Sequence, residues 1–353
     1  MKTLIIILAV ILITHLSAFT QGCVAIRSSG AVCTVHDAAK ESEPGWQINT
    51  GYRYFRSDKH YSGKEYNPDR LEQNTEVINW QHSLDISVLR TFNSRWALMV
   101  GLPLLANSRS SLYEHGRASR HRSESVGMGD MRVVAYHWLL DPAKNRKGNI
   151  QLGLGLKLPT GDYNYQDYFY NVGPGGTKEL RSVDQSIQLG DGGTGLITEL
   201  NAYHNFSTRF GLYANGFYLV NPRETNGTKT FRSRANEAIM SVADQYMARL
   251  GANVSISRRF SVSAGGRLEG IPVNDLIGSS EGFRRPGYVV SIEPGVNMNM
   301  GRSIFFVSVP FAVERNRTQS YTDLENTKLS GTRVHGDAAF ADYSLNIGFS
   351  VKL

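Results

Sequence analysis

The sequence predicts an all-β protein, a transmembrane antiparallel up-and-down β-barrel of about 12 strands with short periplasmic turns and long extracellular loops. Three observations predict it. Stretches of roughly 9–11 residues alternate apolar and polar side chains, the length and period of a strand that crosses an outer membrane. Tight and long connections take turns along the chain. Trp46, Trp80, Trp96 and Trp138, all the tryptophans, fall near strand ends, where aromatic girdles sit.

Residues 1–20 read as a signal peptide: Lys2, the apolar run Leu4–Ile13, and Ala18-Phe19-Thr20 before Gln21. That run is too short to span a bilayer. Residues 21–44, polar and ended by Pro44, read as a periplasmic N-terminal segment or a plug, and 45–353 as the outer-membrane barrel. The only cysteines, Cys23 and Cys33, lie just behind the signal. After export they can close a small disulfide loop; the other reading is lipidation of Cys23, since Thr20-Gln21-Gly22-Cys23 partly resembles a lipobox.

The strands follow in order. Trp46–Phe55 sets Trp46, Ile48, Tyr52 and Tyr54 against Gln47, Asn49, Gly51 and Arg53. Ile78–Phe92 and Trp96–Leu104 carry Leu84, Ile86, Val88, Leu98, Val100 and Leu102 outward. Met128–Leu140 is irregular, because Val134, Tyr136, Trp138 and Leu140 share parity with Asp130 and Arg132. A bulge near Gly129, or a charged pair above the membrane, would reconcile them. Ile150–Leu158 alternates cleanly. Leu196–Phe206, Arg209–Val220 (ambiguous in phase), Gln245–Ile256, Phe260–Gly270, Gly287–Met300, Ile304–Glu314 and Ala339–Leu353 complete the set. In the last, Tyr343, Leu345, Ile347, Phe349, Val351 and Leu353 point to lipid, and the strand is expected to pair with Trp46–Phe55. Its alternation is similar to the signal that barrel-assembly machinery reads, with Leu353 where a terminal Phe is usual.

Joints at Asn93-Ser94, Asp141–Gly148, Ser207-Thr208, Ser257-Arg258 and Gly301-Arg302 are short. Between them lie 57–77, 105–126, 159–195, 221–243, 271–286 and 315–337, long and polar. A β-sandwich has turn signals every 8–12 residues and no such two-sided rule. With both termini on the short-turn side the strand number is even.

Composition excludes other classes. There is no second apolar run long enough for a helical span, and a mean hydropathy of −0.29 is what alternating strands average to. The formal charge of +7 is dispersed rather than gathered in a stripe, which argues against nucleic-acid binding. Metal-ligand spacings and phosphate-cradling loops are absent from the sequence, so no cofactor is expected. An outer-membrane phospholipase needs a Ser and His pair on the outer face, and only His82 falls there. The arginines Arg117, Arg120 and Arg122 could face lipopolysaccharide, but read better as solvated charge.

On the lumen face the alternation collects Arg53, Asp85, Lys157, Glu199, Arg249, Arg267, Glu269, Glu293, Glu314 and Asp342. One reading is cross-strand ion pairs that brace the wall. The other is a polar path that orients a solute.

The stretches "GMGDMRVVAYHWLL" and "GNIQLGLGLKLPTGDY" resemble the outer-membrane transporter family associated with meta-pathway phenol degradation, at Gly127, Gly129, Asp130, Gly153, Gly155, Lys157, Pro159, Thr160 and Gly161. "GDGGTG" at Gly190–Gly195 is similar to a later element of that family. The family is distantly similar to long-chain fatty acid transporters, and the resemblance implies uptake of small, often apolar or aromatic molecules. The expected function is passive diffusion of such solutes across the bacterial outer membrane, in contact with lipid and lipopolysaccharide and without enzymatic chemistry. The alternative is a closed structural or accessory barrel whose long loops, 159–195 above all, bind a partner.

Overall fold

The computed structural model describes residues 21–22 and 43–353. The signal peptide and both cysteines lie outside the described residues. Gln21–Gly22 pairs with the closing strand at Ala341 and Phe340.

Twelve strand positions close on themselves. They are β1 (Gly45–Ser62), β2 (Ile78–Thr91), β3 (Trp96–Ser111), β4 in two pieces (His121–Met128 and Met131–Trp138), β5 (Gly148–Leu158), β6 (Gly195–Asn205), β7 (Phe210–Val220), β8 (Gln245–Ser255), β9 (Phe260–Ile271), β10 (Gly287–Asn299), β11 in two pieces (Ser303–Ser308 and Phe311–Asn316) and β12 (Ala338–Lys352). Each pairs antiparallel with its neighbour in sequence, and β12 returns to β1 with Gln47 opposite Lys352 and Tyr54 opposite Leu345. The expected closure between the last and first strands is therefore found. Closure leaves no unpaired edge, which hydrocarbon would not tolerate.

Leu84, Ile86, Val88, Leu154, Leu156, Leu250, Ile292 and Val296 are exposed on β2, β5, β8 and β10, around the barrel. An apolar belt this extensive is a lipid-facing surface. The molecule is an outer-membrane β-barrel.

The tight turns form where short polar side chains replace backbone partners. Asn93 Oδ1 accepts from the amides of Arg95 (2.9 Å) and Trp96 (3.0 Å). Ser207 Oγ does the same for Arg209 and Phe210, and Ser257 Oγ for Arg259 and Phe260. Gly301 turns at φ +81°, a conformation that glycine adopts without penalty. The opposite end carries long excursions. One contains the hairpin Thr225–Lys229 with Ile239–Ser241, and another the helix Tyr321–Ser330. That helix starts on a capping box, in which Ser320 Oγ accepts from Asp323 N (3.0 Å) and Asp323 accepts from Ser320 N (2.9 Å).

Three expectations are corrected. In β4, Ala97 faces Tyr136 and Met99 faces Val134 across the ladder with β3, while Trp96 faces His137. Val134, Tyr136 and Trp138 therefore point into the lumen with Arg132. The ladder does shift by one residue near Gly129, as expected, but the shift separates the exposed Val126 and Met128 from the inward set and not the apolar from the charged residues. Trp138 is buried against Tyr203 at a ring separation of 5.9 Å, so it belongs to the interior and not to a girdle. In β11, Val309-Pro310 interrupts the strand and Val313 is the extra residue of a bulge against Val290 and Ser291. The bulge flips the phase, so Glu314 points outward. There it accepts from the Tyr288 hydroxyl (2.7 Å) and pairs with Lys64 (2.7 Å). Arg315 takes the lumen side instead, over the Tyr61 ring.

Candidate functional site: an infolded plug above a charged lumen

The alternation places the inward polar residues of β5 to β12 on one continuous wall. Gln151 accepts from Asn201, and Asn201 accepts from Asn215. Asn215 accepts from Arg249 Nε at 2.9 Å. Arg249 pairs with Glu293 (3.3 Å), which also accepts from Ser308 Oγ (2.8 Å). Arg267 bridges Glu269 (2.9 Å) and Glu293 (3.6 Å). Glu269 then reaches Arg53 at 3.6 Å. β1 and β9 are not neighbours, so this last pair spans the lumen. Arg53, Arg249, Arg267, Glu269 and Glu293 are each at most 7% exposed, so they pack against one another along the β8-to-β1 side of the lumen.

Above the ladder, toward the long loops, Ala97, Met99, Val134, Tyr136, Ile197, Phe217, Leu219 and Met247 form a buried apolar cluster on β3, β4 and β6 to β8. β5 contributes its glycines. A Cβ on Gly153 would sit 2.8 Å from the Tyr136 ring, and one on Gly155 would sit 2.3 Å from the Val133 carbonyl. Bare backbone at these two positions lets Tyr136 and Val134 lie across the strand. The lumen therefore has an apolar side and an ionic side.

The remaining expected lumen residues sit as follows. Glu199 accepts from the Tyr136 hydroxyl at 2.9 Å. Asp342 faces Lys59 at 3.3 Å near the long-loop end. Asp85 lies on β2 opposite Gly51 and Pro103. Lys157 stands apart from the ladder and joins Asp191 and Asp130 (3.6 Å to the latter). His82 is outward, hydrogen-bonded to the Tyr52 hydroxyl at 2.8 Å and packed on Tyr54. Of the loop arginines, Arg120 ties Asn74 and Glu76 into the rim and Arg122 stacks on Trp80.

What sequence reasoning missed is the path of the long 159–195 loop. Its outer part forms a hairpin, Gln166–Phe169 with Glu179–Ser182. The following stretch, 183–191, turns down into the barrel. Val183, Ile187 and Leu189 are buried there, each stabilising the infolded path by about 1.5–3 kcal/mol relative to exposure. The single turn Gln185–Ile187 bonds to strands all round the opening. Gln81 donates to Ser186 O (2.8 Å), Ser125 to Ile187 O, and Arg109 to Ser186 Oγ (3.2 Å). On the far side Gln185 donates to Ser241 O (2.8 Å). Asp184 accepts from Arg285 Nη1 (2.9 Å) and Nη2 (2.7 Å) and lies 3.5 Å from Arg109. Burial works against its charge, but Arg109 and then Arg285 outweigh it, so the carboxyl is held far below the usual carboxylate range. The sign follows: a depressed folded value adds stability above the ordinary carboxylate range that is lost only in strong acid. Asp184 therefore holds the plug in its charged form at neutral pH.

The motif residues meet at the base of this plug. β4 breaks at Gly129 and Asp130, and Asp130 accepts from the amides of Gly161 (3.0 Å) and Asp191 (3.2 Å). Thr160 Oγ1 donates to Gly129 O and accepts from Met131 N. A Cβ on Gly190 would lie 2.6 Å from Asp130 Oδ1, and one on Gly127 would lie 2.8 Å from Leu189. The glycine-rich pattern is thus a latch that ties both ends of the infolded loop to the wall. It does not serve as a flexible hinge. Beside the plug lies a cavity of about 170 Å³, lined by Gln81, Lys157, Gln185, Ser186, Leu219 and Arg285 among others.

A second loop braces the plug from outside. His115 Nδ1 accepts from Tyr170 N (3.1 Å), and its ring stacks on Phe169. Burial, then His121, pushes the His115 pKa down to about 4. The folded cap thus favours neutral imidazole, and its contribution to stability is complete above about 6.5 and declines as pH falls from there to about 4. Amide protection factors in Gln166–Phe169, corrected for the intrinsic pH dependence of exchange, should fall over that window, and His115→Gln should flatten the response.

No protein-family model matches the sequence, and no curated protein matches it. Among solved structures, an outer membrane channel from Pseudomonas putida F1 superposes with a TM-score of 0.60 at 12% identity, over 94% of this chain and 100% of that one. The fold is that of an outer-membrane channel. Toluene transporters from Pseudomonas putida and Ralstonia pickettii superpose at TM-score 0.44 each, with 11% and 9% identity, over 96% and 97% of this chain and 98% and 100% of theirs. In the first, channel-like comparison the shared feature is the barrel itself.

Proposed function

We propose that the barrel is a passive outer-membrane channel for small solutes, apolar or aromatic in part, held shut by the 183–191 segment. The observation that carries this reading is the kind of closure. The obstruction at the long-loop end is a stretch of loop fastened to the wall by side chains, with a solute-sized cavity beside it. A barrel serving only as a scaffold would be closed more simply by wall side chains. The apolar cluster under the plug supports an apolar component in the solute, and the ionic ladder below supports a polar one. No energy-coupling element is invoked; the solute would follow its gradient. Lipopolysaccharide would surround the long-loop rim, and assembly would use the barrel-assembly machinery, with β12 as its signal.

Replacing 184–188 by a Gly-Ser linker should convert a silent barrel in planar bilayers into one with resolved conductance steps. Liposomes carrying the linker variant should take up small neutral solutes such as benzyl alcohol faster than those with the intact chain. If the linker variant folds, by its heat-dependent gel mobility, yet shows neither current nor uptake, the closed accessory barrel is the correct reading.

A further inference from the structure

We propose that Asp184 occupies a carboxylate site, and that the solutes are small aromatic or aliphatic carboxylates that open the barrel by taking the place of Asp184 between Arg109 and Arg285. The inference rests on the channel reading above and names its substrate class.

Geometry is the first support. Arg285 presents both terminal nitrogens to Asp184, at 2.9 and 2.7 Å, the planar fork that recognises a carboxylate and not a hydroxyl or an amide. Arg109, also within 3.5 Å of Asp184, is only 2% exposed. The second support is the space that adjoins them. Arg285 lines the 170 Å³ cavity together with Arg132, Lys157 and Arg284, against the carboxylates Asp130 and Asp191. Arg284 is held by Asp275 and Lys157 by Asp130 and Asp191, which leaves Arg132 and the Asp184-paired Arg285 as the cations that face the space. Leu189, Leu219 and Ile271 supply an apolar edge. An apolar cavity of about 150 Å³ holds a benzene ring, so the volume matches an aromatic acid. The third support is the approach from outside. The Phe283 ring carries Arg285 at 4.7 Å and Arg232 at 4.5 Å. Among the described residues Arg232 has no ion-pair partner, and its Nε is buried without a hydrogen bond. A cation so placed draws an anion toward the plug.

The exchange explains why the same groups would both select and gate. Withdrawing Asp184 alone takes the carboxylate from the Arg285 fork, while Arg109 keeps its pair with Glu114 (2.6 Å), so the unliganded plug stays down. A solute carboxylate that arrives as Asp184 leaves restores the fork on Arg285. A neutral solute of the same size offers no such replacement.

Sodium benzoate and benzyl alcohol, matched in size and different in charge, test this on the full-length barrel. In detergent, isothermal titration should show benzoate binding and no benzyl alcohol binding. Arg285→Gln should weaken benzoate by about 10–100-fold, the factor for losing a charge-assisted pair. In bilayers, benzoate should raise the conductance of the intact barrel above that in chloride, and Asp184→Asn should raise it without benzoate. If intact barrel neither binds benzoate nor conducts more in it while the 184–188 linker variant passes benzyl alcohol, the carboxylate inference fails and the channel reading stands. If the linker variant passes neither, both fail. Unchanged benzoate affinity in folded Arg285→Gln would also overturn the assignment.

Discussion

Lys157→Met is expected to destabilise the barrel by about 3 kcal/mol and to release the plug, because it leaves the buried carboxylate of Asp130 facing the partly exposed one of Asp191 without their cation. The ammonium is 3% exposed, so water cannot take its place. Two readouts separate the effects. The urea midpoint in detergent should fall, and trypsin should cut the intact fold faster at the exposed Arg181, whose backbone the hairpin with Gln166–Phe169 otherwise protects. Asp191→Asn in the same chain should recover part of the loss, since it removes the repulsion that the first change exposes. A Lys157→Met barrel with an unchanged midpoint and an uncut loop would remove Lys157 from the latch.

The second large effect belongs to Arg267. It is the only guanidinium among the described residues seen to pair with both Glu269 and Glu293, and each carboxylate is at most 3% exposed. Arg267→Met should cost about 3–5 kcal/mol, because each buried carboxylate loses one of its two guanidiniums and keeps only Arg53 at 3.6 Å or Arg249 at 3.3 Å. Arg267→Met with Glu269→Gln should fall below the single change, because Glu269 is also the carboxylate that Arg53 reaches, and two cations then share Glu293 alone. Here the measurement is the midpoint of unfolding alone; the plug and its proteolysis should not change. Equal midpoints for the single and double variants would show that the ladder acts through packing and not through charge.

The strands were legible because a period of two is written locally: every other residue of Ile150–Leu158 reports the face it occupies. The turn side was legible for the same reason, since Asn93, Ser207 and Ser257 satisfy their turns from within the turns themselves. Composition misled where the lumen is apolar. Tyr136 and Trp138 look like lipid-facing residues, and only their partners across the ladder, Ala97 and Gln151, show otherwise. Glu314 was misplaced because a single inserted residue, Val313, reverses every assignment after it. The candidate site was half legible. Its lumen charges follow from alternation, whereas the descent of 183–191 depends on partners 56 to 105 residues away and leaves only Val183, Ile187 and Leu189, isolated in a polar loop, as a trace. The glycines at 190–195 were visible, but close approach to Asp130 and Tyr163 explains them better than freedom of motion.

The pair between Arg53 and Glu269 has a consequence for how many strands this chain can close with. Glu269 and Arg267 are neighbours on one strand and can meet as soon as β9 forms, whereas Arg53 waits on the first strand for the circle to be completed. Adding or omitting a strand moves the wall by about 4.8 Å at the seam, more than the 3.6 Å gap that the two groups span. A wrongly sized ring would leave Arg53 a buried cation facing no acid. The contact is therefore a gauge of circumference: it rewards the twelve-stranded closure and penalises its neighbours at the moment of sealing.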